Sequence, residues 1–404
     1  MMWSNSGGHA TSIGPRMRAS GGRRQRYLAS SRRTVAAPGA GTKGGRRMPA
    51  MLSCAGSNDG EQDAGIAQDV GARGRRAVLI GMAGLAVSAM ASAAPWARSR
   101  RLVAAFDRMV APDARIETIA TGIRWAEGPV WVPAGAYLLF TDPPANIVRR
   151  WQRGAGVATF LSPSGAPNPD PAVLREPGAN GLTLDGAGRL LIANSGGRSL
   201  DRFDLRTRRR ETIVARYRGK RFNSPNDLHV ARDGSVYFTD PPYGLNGADE
   251  SPARELPVNG VYRWRGGEAV LLEGGLTRPN GVALSPDERR MYVSVSDAAD
   301  PRVMVYDLDA DGMPTASRVL VSARERHAAG APGLPDGLKV ARDGTLVCSM
   351  PGGIMFLTPE GEPVGMIDTP AAAANVAFGE GGGALFVTAS DRVLRVPLRR
   401  GWQG

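Results

Sequence analysis

Short apolar runs alternate with turn-forming residues along most of this chain, from about residue 115 to residue 400. Runs such as VYFTD, RMYVSVS and ALFVTAS are separated at regular intervals by Gly, Pro, Asn and Asp. No segment in this part has the longer pattern, with an apolar residue every three to four positions, that indicates an amphipathic helix. The pattern therefore predicts an all-β domain over residues 115–400.

One unit recurs along this domain: a polar residue, an apolar run, a turn, and a second apolar run. The polar residues that lead the six copies are Glu127, Asn180, Asn226, Asn280, Asp336 and Asn375. Successive leading residues are 53, 46, 54, 56 and 39 positions apart, which is close to the length of a four-stranded propeller blade. The repeat predicts a six-bladed β-propeller with four-stranded antiparallel blades, in which the leading residues converge on the central axis.

The last unit contains only three clear strands, NVAFGE, ALFVTAS and RVLRVPL. The segment RIETIA, which begins at Arg115 and precedes the first unit, has the composition of a fourth strand. Mixing strands from both ends of the chain in one blade closes the ring and removes an open sheet edge. We therefore expect an N-terminal strand to complete the last blade.

Most of the net positive charge of the chain lies outside this domain. Up to Ala93 the sequence has 13 Lys/Arg and 4 Asp/Glu, so this part carries nine of the thirteen net positive charges. Residues 1–72 have few large apolar residues, and we interpret them as a disordered segment or a mis-assigned leader, with a true start as far downstream as Met51. Without that segment the charge gives little support to nucleic-acid binding, and no nucleic-acid partner is expected.

Residues 73–93 have the pattern of an export signal. Arg75 and Arg76 precede the apolar run AVLIGMAGLAVSAMASA, which ends in small residues. Twin arginines before a modest apolar run are typical of a Tat-like signal, which predicts a periplasmic or secreted protein. A membrane anchor is the alternative, although the run is short and rich in Gly and Ala; after signal removal we expect no stable membrane association.

The leading residues supply only oxygen atoms, from carboxylates and amides. Two of them, Glu127 and Asp336, carry negative charge, and such a ring suits a hard divalent cation, Ca²⁺ first, with Mg²⁺, Mn²⁺ or Zn²⁺ as alternatives. The alternative interpretation is that Asn-Gly and Asp-Gly are turn pairs at the start of a strand. A Glu at the same repeat position favours the cation site, because turn formation does not require it.

Five motifs around these residues resemble the gluconolactonase / senescence marker protein (regucalcin) family of six-bladed propellers. They are AEGPVW (126–131), EPGANGL (176–182), NSPNDL with FTDPPYG (223–244), RPNGVALS (278–285) and LPDGLKV (334–340). The resemblance implies a lactone hydrolase that uses one divalent ion. It implies that the metal ligands are Glu127, Asn226, Asn280 and Asp336, and that Asn180 and Asn375 contact substrate or support the ligands.

The chemistry implied is hydrolysis of a small lactone, such as the sugar lactone D-glucono-1,5-lactone, to its hydroxy acid. Asp336 is the candidate general base, and direct attack by its carboxylate is the alternative. Arg221 is a candidate for binding a polar lactone by bidentate donation, although its position in the basic run YRGKR favours interpretation as a solvated charge. Two other functions remain open: a metal-dependent esterase or phosphotriesterase on the same scaffold, and a non-enzymatic calcium-binding propeller. We expect the protein to be a monomer.

Overall fold

The computed structural model describes residues 95–402, in which 27 β-strands are joined by short turns and a few single-turn helices. The predicted leader (1–72) and export signal (73–93) lie outside the described residues. Within residues 95–402, no helix has the length and apolar character needed to cross a membrane.

Two strands precede the first blade: β1 (Arg98–Arg101) and β2 (Glu117–Ala120). Blade I contains β3 (Glu127–Val132), β4 (Tyr137–Asp142), β5 (Ile147–Gln152) and β6 (Gly156–Leu161). Blade II contains β7 (Leu182–Leu184), β8 (Leu190–Asn194), β9 (Ser199–Phe203) and β10 (Arg210–Val214). A hairpin of β11 (Arg216–Tyr217) and β12 (Lys220–Arg221) follows.

Blade III contains β13 (Leu228–Val230), β14 (Val236–Asp240), β15 (Gly260–Arg265) and β16 (Glu268–Glu273). Blade IV contains β17 (Pro279–Leu284), β18 (Arg290–Val295), β19 (Arg302–Leu308) and β20 (Pro314–Ser322). Blade V contains β21 (Leu338–Val340), β22 (Leu346–Met350), β23 (Gly353–Leu357) and β24 (Pro363–Asp368). Blade VI contains β25 (Ala373–Gly379), β26 (Ala384–Ala389) and β27 (Arg392–Pro397).

The helical turns of the described chain connect these strands. One is an α-helix, α1 (Arg324–Ala328), and the others are 3₁₀ turns: Ala104–Arg108, Pro133–Gly135, Pro143–Ala145, Ala248–Glu250 and Glu380–Gly382.

The six sheets form a closed ring. The first strand of each blade contacts the first strand of the next, in the order β3, β7, β13, β17, β21, β25 and back to β3. All pairings within the blades are antiparallel. The predicted six-bladed propeller with four-stranded antiparallel blades is therefore confirmed.

Two N-terminal strands complete the last two blades. Strand β2 pairs with β27 in the register Glu117↔Arg395, so the predicted closure of blade VI is confirmed. Strand β1, which the sequence analysis did not anticipate, adds a fifth strand to blade V by pairing with β24. The Arg100 guanidinium holds this edge through two hydrogen bonds to Asp368, at 2.8 Å (Nε–Oδ2) and 2.7 Å (Nη2–Oδ1).

The blades pack face to face, so many of their strands are buried on both sides. Strands β8, β14 and β22 have no exposed residue, which explains why their sequences are nearly continuous apolar runs rather than alternating ones. Cys348 on β22 is fully buried among apolar neighbours, and burial raises the pKa of its thiol to about 12. Cys348 is therefore a core residue.

Glycine follows four of the six leading residues because adjacent inner strands approach too closely for a side chain. A Cβ on Gly181 would lie 2.6 Å from the carbonyl oxygen of Asn226, and one on Gly281 would meet the carbonyl oxygen of Asp336. Neither glycine has a left-handed backbone, so turn geometry does not require it. The Gly181 N–H donates to the Asn226 carbonyl at 2.7 Å, which joins blade II to blade III.

Replacing Gly181 by alanine is expected to lower the free energy of unfolding by about 1–3 kcal/mol, because the added methyl group overpacks the contact between blades II and III. Urea denaturation measures this change. Gly186→Ala in the same blade is the control, since its Cβ would meet nothing within 4 Å. Equal effects of the two substitutions would contradict the close-packing explanation.

Candidate functional site

The repeat brings five of the six leading residues to one cavity. Glu127 and Asn280 lie at the start of inner strands β3 and β17, and three others precede their inner strands by two residues. The cavity has a volume of about 490 Å³ and its lining includes Glu127, Asn180, Asn226, Asn280 and Asp336. This size suits a small organic ligand. The predicted metal ligands are therefore all brought together.

Glu127 is a buried carboxylate with few hydrogen bonds. Its side chain is 3% exposed; Oε2 accepts from the Gly128 N–H at 3.1 Å and Oε1 from Trp125 Nε1 at 3.4 Å. Burial, together with the negative charge of Asp227, raises the pKa of Glu127 to about 7. A cation bound beside this carboxylate would favour its ionised form.

Asp336 lines the same cavity as Glu127. Its Oδ1 is buried and accepts no hydrogen bond from the described residues. Burial and the negative charges of Glu127 and Asp227 raise the pKa of Asp336 well above its ordinary value, and the Asn280 amide partly offsets this rise. Asp336 and Glu127 are thus two buried carboxylates of one cavity, and the charge of Glu127 disfavours the ionised form of Asp336.

The asparagines of the cavity present free oxygen atoms. Asn280 donates through Nδ2 to the Ser296 hydroxyl at 2.9 Å, and that hydroxyl donates to the Pro335 carbonyl. This bond fixes the amide orientation and leaves Oδ1 as a free acceptor. Asn180 Oδ1 is buried without a hydrogen-bond partner among the described residues.

These residues fit a hard divalent cation. The donor set consists of two carboxylates and amide oxygens, and buried oxygens of Asn180 and Asp336 accept no hydrogen bond from any residue between 95 and 402. Within residues 95–402, no three His, Cys, Asp or Glu side chains form a metal-binding group of their own. Any ion in this cavity would therefore be held by a mixture of carboxylate and amide oxygens, which favours Ca²⁺-class ions over soft metals.

Two long loops form part of the cavity wall and contribute residues that the repeat did not reveal. The loop between β6 and β7 and the loop between β14 and β15 pair through Leu174 and Leu245, and Gly244 O accepts from the N–H groups of Arg175 and Glu176. These loops bring three polar side chains to the cavity: Arg175, Glu176 and Tyr243. The length of these two loops is the only sign in the sequence of a functional role. The positions of the three side chains could not be predicted from the sequence.

These loop residues are polar and line the same cavity as the leading residues of the repeat. Arg175 Nη2 donates to Glu176 Oε1 at 2.9 Å. Burial raises the pKa of Glu176, although Arg175 opposes the rise, and burial also raises the pKa of the Tyr243 hydroxyl. Trp125 adds an aromatic surface beside Glu127. The cavity can thus contact both hydroxyl groups and the carbon skeleton of a small polar ligand.

The structure does not bring the two other predicted substrate contacts, Asn375 and Arg221, to this cavity. Asn375 Oδ1 accepts from the Val376 N–H at 2.8 Å and from Lys339 Nζ at 3.4 Å. Arg221 lies on the β11–β12 hairpin, where its Nη2 donates to the Gly197 carbonyl at 3.1 Å.

Comparison with known proteins agrees with this architecture. The family described as SMP-30/Gluconolactonase/LRE-like region matches residues 125–391. A gluconolactonase from Zymomonas mobilis subsp. mobilis is 50% identical over 286 residues, which are 70% of this chain and 80% of that protein. A solved gluconolactonase structure from Xanthomonas campestris is 31% identical, with a TM-score of 0.64, over 76% of this chain and 96% of that one.

A more distant structure shares the fold alone. A calcium-binding protein, regucalcin, from Agrobacterium tumefaciens is 16% identical, with a TM-score of 0.54, over 71% of this chain and 95% of that one. The family match spans Glu127 through Asn375 and includes every leading residue of the repeat. The chain therefore belongs to the SMP-30/gluconolactonase/LRE-like family.

Proposed function

We propose that this lactone-hydrolysing enzyme acts on a small sugar lactone, such as D-glucono-1,5-lactone, with the assistance of one divalent cation. The observation that carries the proposal is the convergence of Glu127 and Asp336 with three asparagines on one cavity whose oxygen atoms are incompletely hydrogen-bonded. The 50% identical gluconolactonase supports the choice of a sugar lactone.

The candidate ligands of the cation are Glu127, Asn226, Asn280 and Asp336. When bound, a divalent cation would polarise the lactone carbonyl and stabilise the negative charge that develops on its oxygen. Ca²⁺ is the ion that the oxygen donors favour. The Ser296 hydroxyl positions Asn280 with its Oδ1 free, and the N–H groups of Gly128 and Trp125 orient Glu127.

Asp336 is the candidate catalytic residue. Its free Oδ1 can accept a proton from a water molecule as that water attacks the lactone carbonyl. The ring oxygen of the lactone then leaves and takes up a proton, which gives the hydroxy acid. Direct attack by the Asp336 carboxylate expels the ring oxygen and gives an acyl-enzyme, a mixed anhydride; hydrolysis of that anhydride leads to the same product and is the alternative mechanism.

The remaining lining suits a hydroxyl-rich ring. The side chains of Asn180, Arg175, Glu176 and Tyr243 provide donors and acceptors, while Trp125 offers an aromatic face. Such a combination binds a sugar by hydrogen bonds at its edge and apolar contact at its face.

A pH-stat assay of the purified protein tests the reaction and its metal dependence together. Acid release from D-glucono-1,5-lactone is compared with that from a phosphotriester and an aryl acetate, before and after EDTA treatment and after Ca²⁺ is added back. We expect the lactone to be the preferred substrate, with activity lost on chelation and restored by Ca²⁺, because buried oxygens of Asn180 and Asp336 find no donor in the described part of the chain.

Lactonase activity that survives exhaustive chelation would overturn the metal-assisted mechanism but not lactone hydrolysis. Preference for the phosphotriester or the aryl ester over the lactone would overturn the proposed substrate.

A further inference from the structure

Two residues that depart from the repeat contact each other in the central channel, the space that the inner strands of the six blades surround. Glycine follows the leading residue in four units, but Asp227 follows Asn226 in the third unit. In the fifth unit Lys339 lies three residues after Asp336. Lys339 Nζ is 3.3 Å from Asp227 Oδ2, so an ion pair joins the inner strands of blades III and V. These blades are not adjacent, and the pair therefore crosses the channel rather than a blade interface.

The Lys339 ammonium is fully hydrogen-bonded by three oxygen atoms. Besides Asp227 Oδ2, it donates to the Leu338 carbonyl at 3.0 Å and to Asn375 Oδ1 at 3.4 Å. Three acceptors match the three N–H donors of an ammonium group. The Asp227 side chain is 1% exposed and the Lys339 side chain 20% exposed. A carboxylate, a carbonyl and an amide are also the oxygen types that hold a hard metal ion.

The pair changes the charge that the channel presents to an ion. Asp227 is close enough for its negative charge to raise the pKa values of both Glu127 and Asp336. Glu127, Asp336 and Asp227 with the Lys339 ammonium leave two negative charges, which one divalent cation neutralises; Glu176, whose charge also acts on Glu127 and Asp336, is paired with Arg175. His229, two residues after Asp227, adds no positive charge at neutral pH because burial and the Lys339 charge lower its pKa to about 4.

We propose that the Lys339 ammonium is a built-in cation of the channel, which fills an oxygen site formed by Asp227, Asn375 and the Leu338 carbonyl and so restricts divalent-ion binding to the ring of Glu127 and Asp336. The part of this inference that concerns the ring rests on the proposed function. The oxygen site formed by Asp227, Asn375 and the Leu338 carbonyl, called the axial site below, rests only on the contacts of Lys339.

Lys339 and Asp227 are thereby positioning residues for the ring. Asp227 directly follows Asn226, and the Lys339 strand continues from Asp336, so their contact fixes the separation of two candidate ligands across the channel. The Asp227 N–H and carboxylate are further held by Thr239 Oγ1 and the Leu228 N–H. The ion pair of Asp227 and Lys339 therefore holds the candidate ligands Asn226 and Asp336 in position without contacting the reacting atoms.

Counting bound ions tests the proposal without an activity measurement. Equilibrium dialysis of metal-free protein against Ca²⁺ is expected to give one ion per chain for the wild type and two for Lys339→Met, since methionine keeps the stem but removes the ammonium. Lys220→Met, at an exposed lysine of the β11–β12 hairpin, is the matched control and should bind one ion. The double variant Asp227→Asn/Lys339→Met should also bind one.

One ion in both the wild type and Lys339→Met would overturn the axial site and leave the proposed function intact. No ion in the wild type and one in Lys339→Met would support the axial site and overturn the ring site. No ion in either protein would overturn both.

Folding of the variants supplies a second readout. Asp227 is buried, so Lys339→Met is expected to unfold at a lower temperature than the wild type without Ca²⁺ and to recover when Ca²⁺ is added. The double variant, which leaves no unpaired carboxylate, should need no Ca²⁺ for this recovery. If Lys339→Met stays unfolded in Ca²⁺, or the double variant fails to fold, the ammonium is not replaceable by a cation and the proposal is overturned.

Discussion

Replacing Asp336 by asparagine is expected to lower kcat by about three orders of magnitude at saturating divalent cation. Asparagine keeps an oxygen atom for ligation and nearly the same shape, but it accepts no proton from the attacking water. The effect should appear mainly in kcat, because the change removes an interaction made in the transition state. Initial-rate measurements over a range of D-glucono-1,5-lactone concentrations, at several Ca²⁺ concentrations, determine kcat and KM.

Asp113→Asn is the matched control, since Asp113 is an exposed carboxylate that does not line the cavity. It should leave kcat unchanged. If Asp336→Asn retained kcat within a few-fold of the wild type, neither the general-base role nor direct carboxylate attack could be maintained.

Replacing Glu127 by glutamine is expected to stabilise the metal-free protein and to weaken its binding of Ca²⁺. In the folded protein the pKa of Glu127 is raised from 4.5 to about 7, first of all by burial. The protonated form therefore favours folding: the stability that it contributes is fully present below pH 4.5 and is lost as the pH rises through about 7. At pH 8 the ionised carboxylate costs on the order of 3 kcal/mol, and glutamine removes that cost.

Urea denaturation in the presence of a chelator, at pH values from 4 to 8, measures the change. The difference in the free energy of unfolding between Glu127→Gln and the wild type should grow with pH and disappear at the acidic end. Glu268→Gln, at an exposed strand position, is the control and should show no such dependence. Ca²⁺ at about one hundred times its Kd should stabilise the wild type by about 2.7 kcal/mol, and the variant by much less. Equal stabilisation of both would contradict a ligand role for Glu127.

The sequence predicted the parts of the site that the repeat dictates. Every blade places its leading residue at or within two residues of the start of an inner strand, so Glu127 and Asp336 could be brought together without any knowledge of side-chain positions. The repeat did not show why glycine follows four of the six leading residues. The contact of Gly181 with the Asn226 carbonyl lies between two blades, and a turn interpretation based on single units could not anticipate it.

The exceptions to the repeat were harder to predict. Asn375 has the leading position of its unit, but its amide oxygen accepts from Val376 and Lys339 and lies outside the cavity lining. Tyr243 and Glu176 come from loops whose length indicated a role, whereas their conformation depends on pairing between the two loops. Loop conformations have no period that a sequence pattern could show.

Strand β1 was missed for a different reason. Its sequence, RSRR, has neither apolar alternation nor β-branched residues, and composition assigns such a segment to a loop. It forms a strand because the open edge of β24 offers backbone partners and because Asp368 binds Arg100. The Phe106 ring, which packs edge-on against Phe356 at a centroid distance of 5.1 Å, anchors the segment that follows.

The two added edge strands have a consequence for the order in which the propeller can fold. Arg100 and Asp368 are 268 positions apart, and Glu117 and Arg395 are 278 positions apart. During synthesis the outer edge of blade V cannot be completed until β24 is available, and that of blade VI cannot be completed until β27, the last strand of the domain, is available. Contacts of such sequence separation form late and slowly. We therefore expect a nascent chain to carry β1 and β2 as unpaired strands until these partners are made, and truncation of the N-terminal end of the domain to leave the neighbouring edges of blades V and VI unpaired and prone to self-association.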